Sequence, residues 1–319
     1  MHNNALVTGG MGFIGRQVVS LLLQEGWRVL ILDNFETSEQ DPSFNVKIQP
    51  INPGEMLEAL PSGTAGLIRG DIRTMNSELL NRTLVNISHV FHLAALPRVE
   101  PSIKDPIKYH NSNVNATLRL FDLCRKQPNI KKIIFSSSSS VYGDPEIAPT
   151  NEDARMNPMS PYALHKLIGE QYLDLFAQIY NLNSVSLRYF NVYGEGQPKK
   201  GSYVPVMGIF FRQKKNNQPL TITGDGTQTR DFVNVRDVAR ANLLAATTSL
   251  PEGHHKINVA SGKNYSLNQI AEQISDNILH IASRHEPHTT LADISKAKEL
   301  LDWEPEIDLI DWIESNKPK

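Results

Sequence analysis

The segment Thr8-Gly9-Gly10-Met11-Gly12-Phe13-Ile14-Gly15 constrains this chain more than any other, because it joins a short apolar run, Ala5-Leu6-Val7-Thr8, to an amphipathic stretch from Phe13 to Gln24. Gly9 permits a tight turn from strand into helix, Gly12 lets the backbone approach a pyrophosphate, and Gly15 lets helix and strand pack closely. The N-terminus of such a helix offers unpaired N–H groups and the positive end of a dipole to phosphate. A second strand, Val29–Leu32, runs into Asp33, 18 residues after Gly15. A carboxylate there accepts hydrogen bonds from a ribose 2′-hydroxyl and repels a 2′-phosphate. Strand, turn, helix, strand and acid in that order predict a site for NAD rather than NADP. A glycine turn without a ligand is the competing reading.

The first half of the chain continues to alternate. Val29–Leu32, Leu67-Ile68, His89–Leu93, Lys132–Ser136 and Val185–Tyr189 are short and apolar without clean alternation, which predicts strands buried on both faces. Helical patterns lie between them, notably Val114–Arg125 and Tyr162–Tyr180, and Gly26 stands where a helix C-cap glycine belongs. The expected fold class is α/β, a doubly wound parallel Rossmann-type sheet. Beyond Arg188, Pro and Gly become frequent and helices shorter. We therefore expect an NAD-binding domain over residues 1–187 and a smaller C-terminal α/β domain, mainly for substrate, over 188–319. A strand near 256–260 is expected to return to the main sheet. The stretch Asn34–Ala65, with Pro42, Pro50, Pro53 and Pro61, reads as an extended connection. A chain of 319 residues buries a core of this size comfortably.

Composition excludes several classes. A net charge of −2 implies no general attraction to nucleic acid or to an anionic membrane. Cys124 is the only cysteine, so an intrachain disulfide and a four-cysteine metal site are ruled out. The start Met1-His2-Asn3-Asn4 lacks a basic n-region, and no run of 18 apolar residues occurs. A cytoplasmic protein is the expectation, with the sequons at Asn81, Asn86, Asn115 and Asn264 taken as chance. His254-His255, His285 and His288 lack the context and carboxylate partners of a metal site, so no metal is expected.

Two further features carry chemistry. Ser136 to Ser140 extend the strand Lys132–Phe135, and ligands of open parallel sheets bind beyond the carboxyl ends of the strands. A hydroxyl there can meet a substrate, whereas a flexible linker would be out of place on a core strand. Tyr162 and Lys166, at i and i+4, share one helix face. A phenol with a reference pKa near 10 serves as a base at neutral pH only if nearby positive charge favours the phenolate. Lys166 is placed to supply that charge.

Together these signatures resemble the extended short-chain dehydrogenase/reductases of the NAD-dependent epimerase/dehydratase family, over nearly the whole chain. The resemblance implies cofactor contacts from Gly9, Gly12, Phe13, Ile14, Gly15, Asp33, Asn34, Asp71, Ile72, Leu93, Ala94, Ala95, Asn113, Ser136, Tyr189 and Val192, together with Tyr162 and Lys166. It implies substrate contacts from Arg98, Ser138, Ser139, Tyr162, Asn191, Arg230, Arg284 and Thr290. Within the family the chain is most similar to UDP-hexose 4-epimerases. Dehydratases carry Thr-Asp-Glu at the strand end and the related decarboxylases a Glu, whereas this chain reads Ser138-Ser139-Ser140.

The implied mechanism makes Ser138, Tyr162 and Lys166 the catalytic set. Tyr162 removes the proton of the sugar 4-hydroxyl, Lys166 lowers the tyrosine pKa and holds the nicotinamide ribose, and Ser138 hydrogen-bonds the sugar O4. The keto sugar turns about its diphosphate and is reduced on its other face. Where the family shows Arg-x-Gly-Asp/Glu before Ala-Asp-x-Ser-Lys-Ala, this chain has Arg284-His285-Glu286-Pro287, one residue short and without the glycine. Thr290, where a bulky tyrosine excludes a 2-acetamido group, implies room for UDP-GlcNAc as well as UDP-glucose. Family members commonly pair helices such as Val114–Arg125 and Tyr162–Tyr180, so a homodimer is expected. A UDP-uronate epimerase, a nucleotide-keto-sugar reductase and a non-enzymatic NAD-binding sensor remain open.

Overall fold

The protein is described from a computed structural model that covers residues 3–37, 44–55, 57–198, 204–283 and 287–318. The first seven strands are β1 (Asn4–Thr8), β2 (Arg28–Asp33), β3 (Lys47–Pro50), β4 (Thr64–Arg69), β5 (His89–His92), β6 (Lys132–Ser138) and β7 (Ser184–Tyr189). After them come β8 (Asn191–Tyr193), β9 (Leu220–Thr223), β10 (Thr229–Asn234), β11 (His254–Val259), β12 (Asn264–Ser266) and β13 (Ile278–Ile281). Eight strands make one parallel sheet in the order β11-β7-β6-β5-β1-β2-β4-β3. The order reverses between β1 and β5, so a crevice for ligand opens at their carboxyl ends.

Both faces of this sheet are covered. Along β1, Ala5 and Val7 join a core with helices α1 (Phe13–Gln24) and a later C-terminal helix (residues 235–247), while Leu6 between them joins the core on the other face. Helices α2 (Ser77–Thr83), α3 (Val99–Lys104), α4 (Pro106–His110), α5 (Ala116–Cys124) and α6 (Pro161–Tyr180) follow in order, and α2, α5 and α6 contribute Leu80, Phe121 and Leu173 to that second core. Alternate side chains are apolar on both sides, which is why the strand runs show no polar alternation.

Local chemistry sets the helix ends. After α1, Gly26 takes φ +74°, Gly26 N donates to Leu23 O and Trp27 N to Leu22 O, a Schellman closure. Helix α6 begins with Ser160, whose side chain accepts from Ala163 N, followed by Pro161, and ends on Asn181 in the left-handed region.

The connection Asn34–Ala65 is not wholly extended coil. It contains β3, which pairs with β4 at the sheet edge, and β4 itself begins at Thr64. An edge strand exposed along most of its length has no apolar pattern to reveal it. The helix expected at Val114–Arg125 also differs: a π-turn over Asn111–Asn115 links α4 to α5, giving one nearly continuous helical run.

Beyond Tyr189, α7 (Val206–Lys215), β9 and β10 enclose a separate core around Met207, Phe210, Ile222 and Phe232. The chain nevertheless returns. Helix α8 (Val235–Thr247) packs on α1, and β11 completes the main sheet beside β7. Among the described residues no helix is long and apolar enough to cross a membrane.

Candidate active site

The turn after β1 is closed by its own backbone. Gly9 N donates to Leu32 O (2.9 Å) and Gly12 N to Gly9 O (3.1 Å). Gly9 takes φ +70°, and a Cβ on it would stand 2.7 Å from Ala94 N; one on Gly15 would stand 2.1 Å from Gly9 O. Glycine alone lets the turn rest on the Leu93–Ala95 loop and lets α1 start so near it. Gly12 opens α1 without a side-chain cap. The first-turn N–H groups, those of Phe13, Ile14 and Gly15, thus have no intrahelical acceptor and carry the positive dipole end.

Asp33 is buried, and its carboxylate accepts from Met11 N (2.9 Å) and Phe35 N (2.7 Å). The acid expected to meet a ribose therefore also braces the glycine turn. Asn34 Nδ2 donates to Asp71 (2.9 Å), and Arg73 joins Asp71 to Glu36. Burial works against charge on Asp71, but hydrogen bonds from Arg73 and Asn34 hold its pKa down at about 2. Ile72 is buried beside it. Leu93 N and Ala94 N donate to Thr8 O (3.1 Å) and Thr8 Oγ1 (3.3 Å), with Ala95 next in the same half-buried loop. Asn113, in the π-turn, clamps this loop by accepting from Leu96 N (2.8 Å) and donating to Leu96 O (2.9 Å). An uncapped helix start beside Asp33, Glu36 and Asp71 fits a diphosphate linked to an unphosphorylated ribose, and so fits NAD.

At the end of β6 the serines divide their tasks. Lys166 Nζ donates to Ser136 O (2.6 Å). The Ser138 hydroxyl acts on the Tyr162 phenol, and Ser138 Oγ accepts from Ser140 N (3.2 Å) and Ser140 Oγ (2.9 Å). Ser139 opens the short 3-10 turn that follows and is half-buried. Tyr189, buried behind Ser136, donates to Asn242 Oδ1 (3.0 Å), and Val192 pairs with Val233 between β8 and β10.

Burial raises the Tyr162 pKa, and the groups opposing it are the Ser138 hydroxyl and the Arg98 guanidinium. Lys166 Nζ lies over the Tyr162 ring, 5.9 Å from its centroid, and burial brings its own pKa down to about 7 against the opposing charge of Glu170. Arg98, half-buried, precedes α3 with φ +85°, a costly conformation for a residue other than glycine.

The expected substrate residues of the C-terminal part gather around one backbone segment. Asn191 Nδ2 donates to Asp231 O (2.8 Å), Thr290 Oγ1 accepts from Asp231 N (3.3 Å), and Arg230 Nη1 donates to Thr229 O (2.9 Å). Asp231, unassigned from sequence, anchors the group. Its carboxylate is fully buried and accepts from Ser261 N, Ser261 Oγ, Gly262 N and Ala292 N at 2.7–3.2 Å. Burial nonetheless pushes its pKa up to about 6. Its place in Arg230-Asp231-Phe232-Val233 was the available signal. Arg284 and His285 lie outside the described residues. His254, far from a metal-like setting, bonds Ser186 and Asp174.

Residues 5–260 match the model of the NAD dependent epimerase/dehydratase family. The chain is 37% identical to a putative UDP-glucose 4-epimerase of Methanocaldococcus jannaschii, over 98% of each chain. It is 35% identical to a UDP-glucuronate 4-epimerase of Thermodesulfobacterium geofontis, over 95% of this chain and 92% of that one. Among solved structures it resembles a UDP-N-acetylglucosamine 4-epimerase of Methanobrevibacter ruminantium in complex with UDP-N-acetylmuramic acid, at a TM-score of 0.86 and 35% identity, covering 98% and 97% of the two chains.

Replacing Asp33 by Ala removes one charge-assisted bond from the turn, at Met11 N, and one from the segment after β2, at Phe35 N, each worth ~1.5–3 kcal/mol. Fluorescence titration is expected to show NADH binding weakened by at least about tenfold. Unchanged NADH affinity in the variant would show that the turn holds without Asp33.

Proposed function

Because the chain belongs to the NAD-dependent epimerase/dehydratase family, we propose that it is a UDP-sugar 4-epimerase working by transient oxidation at C4. The observation that carries this reading is the strand end itself. The Ser138 hydroxyl acts on the Tyr162 phenol, Lys166 lies behind it on Ser136 O, and Ser138-Ser139-Ser140 hold no carboxylate. Elimination of water from the sugar needs an acid and a base beyond the tyrosine. A hydroxyl pair at O4 suits proton transfer without elimination. The relatives named above support the same reaction on several UDP-sugars.

Tyr162 takes the proton of the sugar 4-hydroxyl, with Ser138 hydrogen-bonding O4 as the carbonyl forms. The chemistry supplied by bound NAD is hydride acceptance from C4 and its return. Arg98 and Lys166 supply positive charge around the phenolate, and Lys166 holds the nicotinamide ribose. Arg230 holds the diphosphate, about which the keto sugar turns to present its other face, and Tyr162 then returns the proton. Asp231 keeps Arg230, Asn191 and Thr290 in one frame.

A panel of UDP-glucose, UDP-GlcNAc and UDP-glucuronate, incubated without added cofactor and resolved chromatographically, tests this. At least one sugar is converted to its C4 epimer by the wild type. Tyr162→Phe loses ~10²–10⁴-fold in turnover while retaining NAD. Absence of any epimer, or a variant with more than about a tenth of the rate, contradicts the assignment.

For the sugar itself we favour an N-acetylated hexose. Thr290 is half-buried, bonded to Thr229 O and Asp231 N, and far smaller than a tyrosine. Thr290→Tyr is expected to cut turnover of UDP-GlcNAc by about tenfold or more relative to UDP-glucose, since only the larger substrate meets the clash. Equal losses on both sugars would remove Thr290 from the pocket.

A homodimer is part of the same proposal, with a changed face. Ile107 on α4 (72% exposed), Leu164 (45%) and Ile179 (58%) on α6 present apolar surface, whereas α5 has no large exposed apolar side chain among its described residues. Light scattering is expected to give twice the chain mass; a particle of 35.7 kDa at micromolar concentration rejects the pairing.

A further inference from the structure

Glu170 has no part in the reaction set out above, yet its side chain is only 1% exposed. It lies one turn after Lys166 on α6. Its Oε1 accepts from Ser137 Oγ (2.5 Å) and Arg188 Nε (2.9 Å), and its Oε2 from Arg188 Nη2 (2.7 Å). Arg188 Nη1 continues to Tyr142 Oη (2.8 Å) and Glu152 O (2.9 Å). Three successive serines of β6 thus serve three partners: Ser136 O receives Lys166, Ser137 faces Glu170, and Ser138 meets Tyr162.

We propose that Glu170 is a positioning residue of the active site, tying the end of β6 to the catalytic helix through Ser137 and standing as the buried anion one turn from Lys166. A buried Arg–Glu pair alone is weak grounds for a role, since such pairs are often replaceable by apolar groups. Two observations go beyond the pair. Ser137 sits between the serines that touch Lys166 and Tyr162, so its bond to Glu170 sets their register. Lys166 is also buried among groups that do not offset its charge: Phe135, Tyr162, and the imidazoles of His92 and His165, both held neutral by burial at about 3 and 4. Glu170 is the anion that acts on it. From the other elements packed here, Arg188, Tyr142 and His254 face Glu170.

The inference rests on the epimerase reading for one of its two readouts only. The first is the pH dependence of Lys166 acylation by a small reagent, followed by mass spectrometry on the protein as purified. The second is the pH profile of kcat. In Glu170→Gln, and in the charge-balanced Glu170→Gln/Arg188→Gln, Lys166 is expected to reach half-reactivity about one pH unit lower or more, a tenfold change in its ratio of charged to neutral form. The alkaline limb of kcat moves with it, and KM changes by less than about twofold. Ser137→Ala lowers kcat severalfold and leaves the Lys166 titration in place. If Glu170→Gln does not fold with Arg188 uncompensated, the double variant decides. A double variant with wild-type Lys166 titration, or Ser137→Ala with wild-type kcat, overturns the proposal. A wild type without turnover counts against the epimerase reading, and acylation then judges Glu170 by itself.

Discussion

The central strands of the parallel sheet are packed on both faces, so a polar side chain on them can meet a ligand only beyond their carboxyl ends. The rest of the molecule follows from that constraint. Thr8 and the glycine turn end β1, Asp33 ends β2, the Asp71 loop follows β4, the Leu93–Arg98 loop follows β5, and the serine run ends β6. Five strand ends bring together an uncapped helix start, the buried Asp33, and the hydroxyls of Ser138 and Tyr162. Asp33 and Asn113 have no place in the chemistry, but each fixes one loop to its neighbour through backbone groups.

Lys166 is buried and Ser138 and Tyr162 are half-buried beside it, and their electrostatics follow from that. Burial alone favours neutral forms of both Tyr162 and Lys166. The charges that offset burial come from different directions: Arg98 across the loop after β5 toward the phenol, and Glu170 along α6 toward the lysine. The phenol and the lysine thus each meet an offsetting charge from a different direction. The substrate side rests on a comparable buried carboxylate. Asp231 gathers N–H groups from two loops and so sets the frame for Arg230.

Much of this was legible in the sequence, because the informative residues act locally. A glycine turn requires its conformations wherever it occurs, a Ser-Pro pair starts a helix, and Tyr-x-x-x-Lys shares a face through helix geometry alone. What escaped depends on contacts across the fold. The edge strand β3 has little buried surface and so no pattern. Glu170 is visible at i+4 from Lys166, but its partners Ser137 and Arg188 come from two other strands. Arg98, which also acts on Tyr162, reaches it from a loop whose backbone conformation no local rule favours.

The central claim is that the sugar C4 hydrogen leaves as hydride and returns to the same carbon within one binding event. A UDP-hexose carrying deuterium at C4, turned over in ordinary water and examined by NMR, tests it most directly. The account predicts that the epimerised product keeps its deuterium at C4. A product with protium at C4 would contradict it.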